Sequence, residues 1–246
     1  DAAIDRAGVE ARAAADAKQA FAQGTAEDAR AAVIEDDQVK FFGAIEFYDR
    51  ARKAGIKPIL GIEAYVAQGP HTERDPQRKS SNHLVLLARD MAGWRNLIKL
   101  TTRSYLARHA EGLIGLSACL KGEVNERILA RREEDAEATA RRYREILGDG
   151  NFFLELQDHG IPEQRAANEV LRRMSRRLDI PLVATNDCHY LRQQDAAAHE
   201  VLLCIGTQTT LADPDRMRYA TQEFYLKTAE EMARIFAEVP DALAHT

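Results

Sequence analysis

The sequence of 246 residues contains no apolar run near the roughly 18 residues that a membrane-spanning helix needs, so no membrane span is expected. It has only three cysteines, Cys119, Cys188 and Cys204, an odd number with no framework spacing. A disulfide scaffold is thereby excluded, and the thiols are free to act as ligands or core residues in a reducing compartment. Nothing at the start reads as a secretory leader, which makes the cytoplasm the expected location. An excess of basic charge is missing too: 34 Lys and Arg against 39 Asp and Glu leave a formal charge of -5. No global field for nucleic acid exists, and any such contact must be local or metal-mediated. What is present is a 45% hydrophobic chain, long enough for one sizeable core and of a length ordinary for an α/β barrel.

Residues 1–32 are Ala-rich with scattered charges and only Ile4, Val9 and Phe21 as large apolar side chains. They read as a weakly anchored helical segment without chemistry, set apart from a domain over 33–246. From Ala31 the pattern becomes regular. Strands are predicted at Ala31–Glu35, Pro58–Glu63, His83–Ala88, Gly112–Ser117, Phe152–Leu156 and Leu182–Thr185. Helical spacing is predicted after Phe42, over Trp94–Tyr105 behind an Asp90 cap, over Glu133–Leu147, from Pro162 to about Leu178 and over Asp195–Ile205. Thr228-Ala-Glu-Glu231 is a capping box opening a last helix. Repeated strand–helix units predict a parallel sheet and a (β/α) barrel-like fold, with the site at the strand C-termini.

Chemistry gathers at those ends. In Pro181–Tyr190, PLVATNDCHY, a short strand runs into Asp187 and His189, which two-residue spacing in an extended chain would aim at one point. Carboxylate oxygen and imidazole nitrogen are ligands that a divalent transition metal accepts. Glu63 stands at the end of PILGIE and Cys119 just past GLIGLS. His83 begins its strand, and reaches the same rim only if that strand runs antiparallel to its neighbour. Each has a plainer reading: Cys119 a small buried hydrophobe, Glu63 a solvated edge, His83 a loop residue. Cys188 should face away from Asp187 and His189, into the barrel wall. Asp158-His159-Gly160 reads as structural, His199 and Cys204 as helix core, and Arg89, Arg95 and Lys99 as a solvated face.

Five segments then carry a resemblance: GAIEFYDRARKAGIKPILGIEAYVA, NHLVLLARDMAGWRNLIKLTTRSY, EGLIGLSACLKGEV, NFFLELQDHGIPEQ and IPLVATNDCHYLRQQDAAAHEVLLCIGT. In this order they resemble the PHP (polymerase and histidinol phosphatase) domain of the bacterial replicative DNA polymerase III alpha subunit. The resemblance covers Phe42 to the C-terminus. It implies a distorted TIM-like (β/α)7 barrel holding divalent metals, zinc or manganese. It also implies metal ligands at Glu63, His83, Cys119, Asp187 and His189, with Asp187 and His189 as the catalytic pair. Its partners would be a single-stranded DNA 3′ end, the polymerase core and other replicase subunits.

The departures from the family pattern are N-terminal. The opening HLHVHS strand and its acidic DG turn are absent. Where the family has TDHGN, this chain has Asp36-Asp37-Gln38-Val39-Lys40, which puts Gln38 at a ligand histidine. An aromatic, basic segment before Ala107-Arg108-His109 is missing as well. Against the implied activity, metal-dependent phosphodiester hydrolysis as a 3′–5′ proofreading exonuclease, these losses predict partial metal occupancy, a barrel incomplete at its N-terminal strand and a structural role. No polymerase palm is expected in this chain. The alternative is a free-standing PHP phosphoesterase acting on a small phosphate ester, which a complete metal site would favour.

Overall fold

The computed structural model describes residues 31–34, 43–67, 81–100 and 106–246. Residues 1–30 of the Ala-rich segment, the stretch Asp36–Lys40 with Gln38, and residues 68–80 lie outside the described residues. Among those described, six strands and eight α-helices alternate through most of the chain. The strands are β1 (Ala31–Ile34), β2 (Lys57–Ala67), β3 (Ser81–Ala88), β4 (Leu113–Leu116), β5 (Phe152–Leu156) and β6 (Leu182–Ala184). The helices that pack on them are α1 (Ala44–Lys53), α2 (Met91–Leu100), α3 (Glu123–Leu129), α4 (Glu133–Leu147) and α5 (Pro162–Leu178). After β6 come α6 (Ala196–Thr207), α7 (Ala229–Ile235) and α8 (Pro240–Ala244).

The local chemistry of these elements matches their ends. Asp90 Oδ1 accepts from the backbone N–H groups of Ala92 and Gly93, both at 2.9 Å, and so caps α2. Pro162 opens α5, where its missing N–H costs no helical bond. Thr228 and Glu231 exchange backbone bonds at 3.2 and 2.7 Å in the predicted capping box of α7.

The strands form one open sheet in the order β1-β2-β3-β4-β5-β6. Pairing is parallel for β1–β2, β4–β5 and β5–β6, but β3 runs antiparallel to both β2 and β4. This corrects the expectation of a parallel sheet throughout. β1 and β6 are the two edges, and no pairing between them closes a barrel among the described residues. β2 is also longer than expected, running on to Ala67, so Glu63 lies in mid-strand and not at a strand end.

Strand alternation divides the sheet into two faces. Leu84 and Leu86 of β3, Leu113 of β4, and Phe152, Leu154 and Leu156 of β5 join the helices in the main core. From the helices come Leu97, Val124, Ile128, Tyr143, Leu147, Leu171 and Met174. The opposite face carries a smaller cluster of Val85, Leu116, Ala118 and Val183, flanked by Leu87, Ile114 and Phe153. Register places Glu63 opposite Val85, Tyr65 opposite His83, and Glu155 opposite Val183, so all six belong to that second face. Helices thus build the core on one side, and polar chemistry is set among apolar side chains on the other.

Candidate metal centre

The direction of β3 decides the position of His83. Because β3 opposes its neighbours, its first residues meet the C-terminal ends of β2 and β4. Glu63 Oε1 receives His83 Nδ1 at 2.5 Å. The Sγ of Cys119 stands 3.6 Å from the same nitrogen. One ligand atom from each of the three side chains lies within 4.8 Å of the others. The ring of Tyr65 meets that of His83 edge-on at 4.9 Å and fixes its tilt.

Cys119 reaches this point through a tightly tied loop. Ala118 adopts left-handed backbone geometry, φ 62°, which costs a non-glycine residue about 1 kcal/mol and so needs surrounding support. Buried Asn125 supplies it, donating through Nδ2 to the carbonyls of Ala118 and Cys119 at 3.1 and 3.0 Å. Gly122 is required by close approach, since a Cβ there would stand 2.0 Å from the Ser117 carbonyl. The loop is then joined to β3 by the His83 N–H, which donates to Lys121 at 3.0 Å, and by Asn82, which donates to Lys121 and to Glu126.

Asp187 and His189 stand outside that triangle. The chain leaves strand geometry after Ala184, and Asp187 has φ 44°. The pair is therefore brought together by a bend, not by extended alternation, with Asp187 Oδ1 3.4 Å from His189 Nε2. The same bend overturns the expectation for Cys188, which is exposed. His189 is tied back by its N–H to the Phe224 carbonyl at 2.8 Å. Asp187 still acts across the gap, because its charge helps to raise the Cys119 thiol and the charge of His83 helps to lower its own carboxyl.

The electrostatics follow from burial. Desolvation pushes the Cys119 thiol up to about 12, and the charges of Asp187, Glu63 and Glu155 add to this against a backbone hydrogen bond from Lys121. Burial also raises the Asp187 carboxyl. The hydrogen bond and charge of His189, with the charges of His159 and His83, outweigh it and leave that carboxyl below its ordinary range.

One neighbour, Tyr219, was not among the residues first singled out. Tyr219 places its hydroxyl 3.3 and 3.4 Å from the two ring nitrogens of His189, and its phenol is pushed up to about 12, first by burial and then by Asp187, Cys119 and Glu63. His199 is not a core residue. It stands at the rim, its ring 5.7 Å from that of His189 and 5.1 Å from that of Tyr219. Cys204 does lie in the core. His159 is buried and stacked on Phe224 at 4.0 Å. Its Nε2 donates to the Asn186 carbonyl at 2.6 Å and its Nδ1 accepts from Gln164 at 2.8 Å, so it supports the turn before Asp187. Arg89 Nη1 bonds Asn151 Oδ1 at 2.8 Å on the exposed surface.

The donor set fits a zinc-class ion. Carboxylate, imidazole and thiolate from separate elements are three ligands of the kind such sites use. Tetrahedral zinc would hold sulfur and nitrogen about 3.6 Å apart, from bond lengths of about 2.3 and 2.05 Å, and Cys119 and His83 stand 3.6 Å apart. Glu63 and His83 are closer than two ligands of one ion, and hydrogen-bond to each other.

The profile of the PHP domain matches residues 11–159, more than half of the chain. This chain belongs to the PHP domain family. Among proteins similar to this PHP domain is the DNA polymerase III subunit alpha of Thermus aquaticus, 44% identical over 219 residues, which are 82% of this chain and 18% of that protein. The subunit of Borreliella burgdorferi is 43% identical over 226 residues, 85% of this chain and 20% of that protein. That of Deinococcus radiodurans is 43% identical over 229 residues, 85% and 17%. The chain thus spans a fifth or less of the length of these curated relatives. Among the described residues, no helix of this PHP domain is long and apolar enough to cross a membrane.

Proposed function

We propose that this chain serves as the PHP domain of a bacterial replicative DNA polymerase alpha subunit, in the cytoplasm, and that its role is to support the polymerase core. The observation that carries the metal part of this reading is the meeting of Glu63, His83 and Cys119, drawn from β2, β3 and the loop after β4, within 4.8 Å. Asp187 and His189 complete the proposed ligand set from the neighbouring rim. The finer fold is a distorted (β/α)7 barrel, of which the six-stranded open sheet is the larger part. The apolar cluster on the face away from the helices supports it, since an interior face of a barrel must also be filled.

Divalent ions held there, zinc or manganese, would supply Lewis acidity and an activated water for phosphodiester hydrolysis at a single-stranded DNA 3′ end. The protein's own part is to fix the ligands. Asn125 and Gly122 set the Cys119 loop, Tyr65 tilts His83, and the Phe224 carbonyl holds the His189 backbone. Asp187, kept ionised by His189, gives the rim its negative charge.

Hydrolytic activity is nevertheless proposed to be weak or absent. The opening histidines, the DG-turn acid and the histidine replaced by Gln38 are ligand positions of the family pattern that this sequence does not fill. On that pattern, their loss would leave one side of a metal cluster without donors. A misplacement of 1 Å costs about 10²-fold in rate, and deleting whole ligands should cost more. Incubating the purified chain with single-stranded DNA, and with a generic phosphate ester, in manganese or zinc is expected to give no cleavage. Cleavage abolished by Asp187→Ala would overturn the structural role. Restoring an HLHVHS-type strand together with Gln38→His should create activity, and no gain in a chain shown to be folded would place the defect elsewhere.

A further inference from the structure

Between the end of β5, the Cys119 loop, α3 and α5 lies a feature that the metal centre does not use. Cys119 also forms part of the wall of a cavity of about 10 Å3, which Asn125, Glu155, Gln157, Gln164 and Asn168 line with their polar side chains. That volume is room for about one water or one small ion. Glu155, Gln157 and Asn125 are only 4%, 6% and 3% exposed. Each has one oxygen shielded from solvent and without a partner at full hydrogen-bond geometry, Glu155 Oε2, Gln157 Oε1 and Asn125 Oδ1, the Glu155 carboxylate having only a looser backbone contact from Ala118 besides its bonds to Thr185 and Gln157. Three orphaned acceptors around one small cavity are costly unless something pairs with them.

The amide orientations are fixed by their nitrogens. Asn125 Nδ2 donates to two carbonyls, and Gln157 Nε2 to Glu155 Oε1 at 3.1 Å and Thr185 Oγ1 at 3.4 Å. Turning either amide round would set oxygen against oxygen. The remaining amides of the wall are engaged elsewhere, Gln164 Nε2 with His159 Nδ1 at 2.8 Å and Asn168 Nδ2 with the Gln157 carbonyl at 2.9 Å. The cavity therefore presents oxygen acceptors, one of them a carboxylate.

A water carries two protons and leaves one of three acceptors unserved, whereas a cation serves all three. Oxygen ligands of this kind suit hard ions. A magnesium ion demands near-ideal octahedral geometry, which three oxygens from separate elements do not set up, and any divalent ion would leave an uncompensated buried charge beside a single carboxylate. We infer that this cavity is a binding site for one monovalent cation of the sodium class, ligated by Glu155 Oε2, Gln157 Oε1 and Asn125 Oδ1. Such an ion would join the end of β5 to α3, whose Asn125 also ties down the loop that carries Cys119. Its competitor is a proton, since burial drives the Glu155 carboxyl up to about 7.

The test uses the intact chain with its metal centre saturated with zinc, so that sodium cannot occupy that centre instead. Melting is followed at about pH 8 in sodium chloride and in choline chloride at equal ionic strength, alongside sodium-23 relaxation. Sodium at roughly ten times its Kd should raise Tm by about 3 °C or more and broaden the sodium-23 resonance. Both effects should vanish in Glu155→Gln. Equal melting in the two salts with no sodium-23 broadening would overturn the site and leave a water beside a neutral Glu155. A sodium effect that persists in Glu155→Gln would overturn it as well. The wild-type measurements decide the matter even if that variant does not fold.

Discussion

Glu155 is a carboxylate whose surroundings disfavour its charge. It is paired through one oxygen with Thr185 and Gln157, and burial, opposed by the Thr185 bond and aided by the charge of Asp187, raises its carboxyl from 4.5 to about 7. The folded chain thus keeps a proton that the unfolded chain releases. The stability linked to this group is full below about pH 4.5 and is lost as pH rises toward 7, by about 3 kcal/mol in all. In metal-free and sodium-free buffer, urea midpoints should fall over that window, and Glu155→Gln should flatten the fall. Asn125 makes the complementary case, one side chain holding two carbonyls of a strained loop. Asn125→Ala should cost about 2 kcal/mol in urea unfolding, and zinc affinity should drop by about tenfold or more as Cys119 loses its support. A variant with normal zinc affinity would show that the loop holds its shape without the amide.

At the scale of elements, the loop between β4 and α3 matters more than the strands it joins. Gly122 lies against the Ser117 carbonyl, and a methyl group there cannot be accommodated without moving the Cys119 turn. Gly122→Ala should destabilise the fold by about 1–3 kcal/mol and lower zinc affinity, both read on the same protein by urea unfolding and zinc titration. Thr228→Ala, which removes the side-chain cap of α7, should cost about 1 kcal/mol and leave zinc affinity unchanged. If the two variants changed zinc affinity alike, the β4–α3 loop would have no special part. Helix and strand ends were legible where a local signal marks them. Asp90, Pro162 and Gly148 stand at the predicted boundaries of α2, α5 and α4, because capping and backbone conformation depend on neighbours in sequence. The bend after Ala184 was not legible, since Asp187 reaches left-handed geometry under ties from Phe224, Tyr225 and His159, remote in the chain.

For the whole molecule, the donors among the described residues set how many ions are expected. Three donors converge, and Asp187 with His189 stands beside them. A zinc-class site takes three or four ligands, so elemental analysis after dialysis should find at most about two equivalents of metal. Asp187→Ala or His189→Ala should lower this. A full, tightly held cluster would mean that further donors, outside those proposed, complete the centre.

The amino-acid order by itself determined the α/β class, most element boundaries and the residue types of the centre, because helical and strand periodicity and ligand chemistry are local properties. The family membership was legible for a similar reason, from long segments in a fixed order. Only the tertiary structure decided which of those residues meet. His83 joins Glu63 because β3 runs antiparallel, and strand direction depends on pairing partners that no window of sequence contains. Glu155 shows the other side of that division, since it was not among the residues the sequence singled out. That its second oxygen is buried and unpartnered beside Gln157 and Asn125 was settled by packing, where the neighbours come from β5, α3 and α5 together.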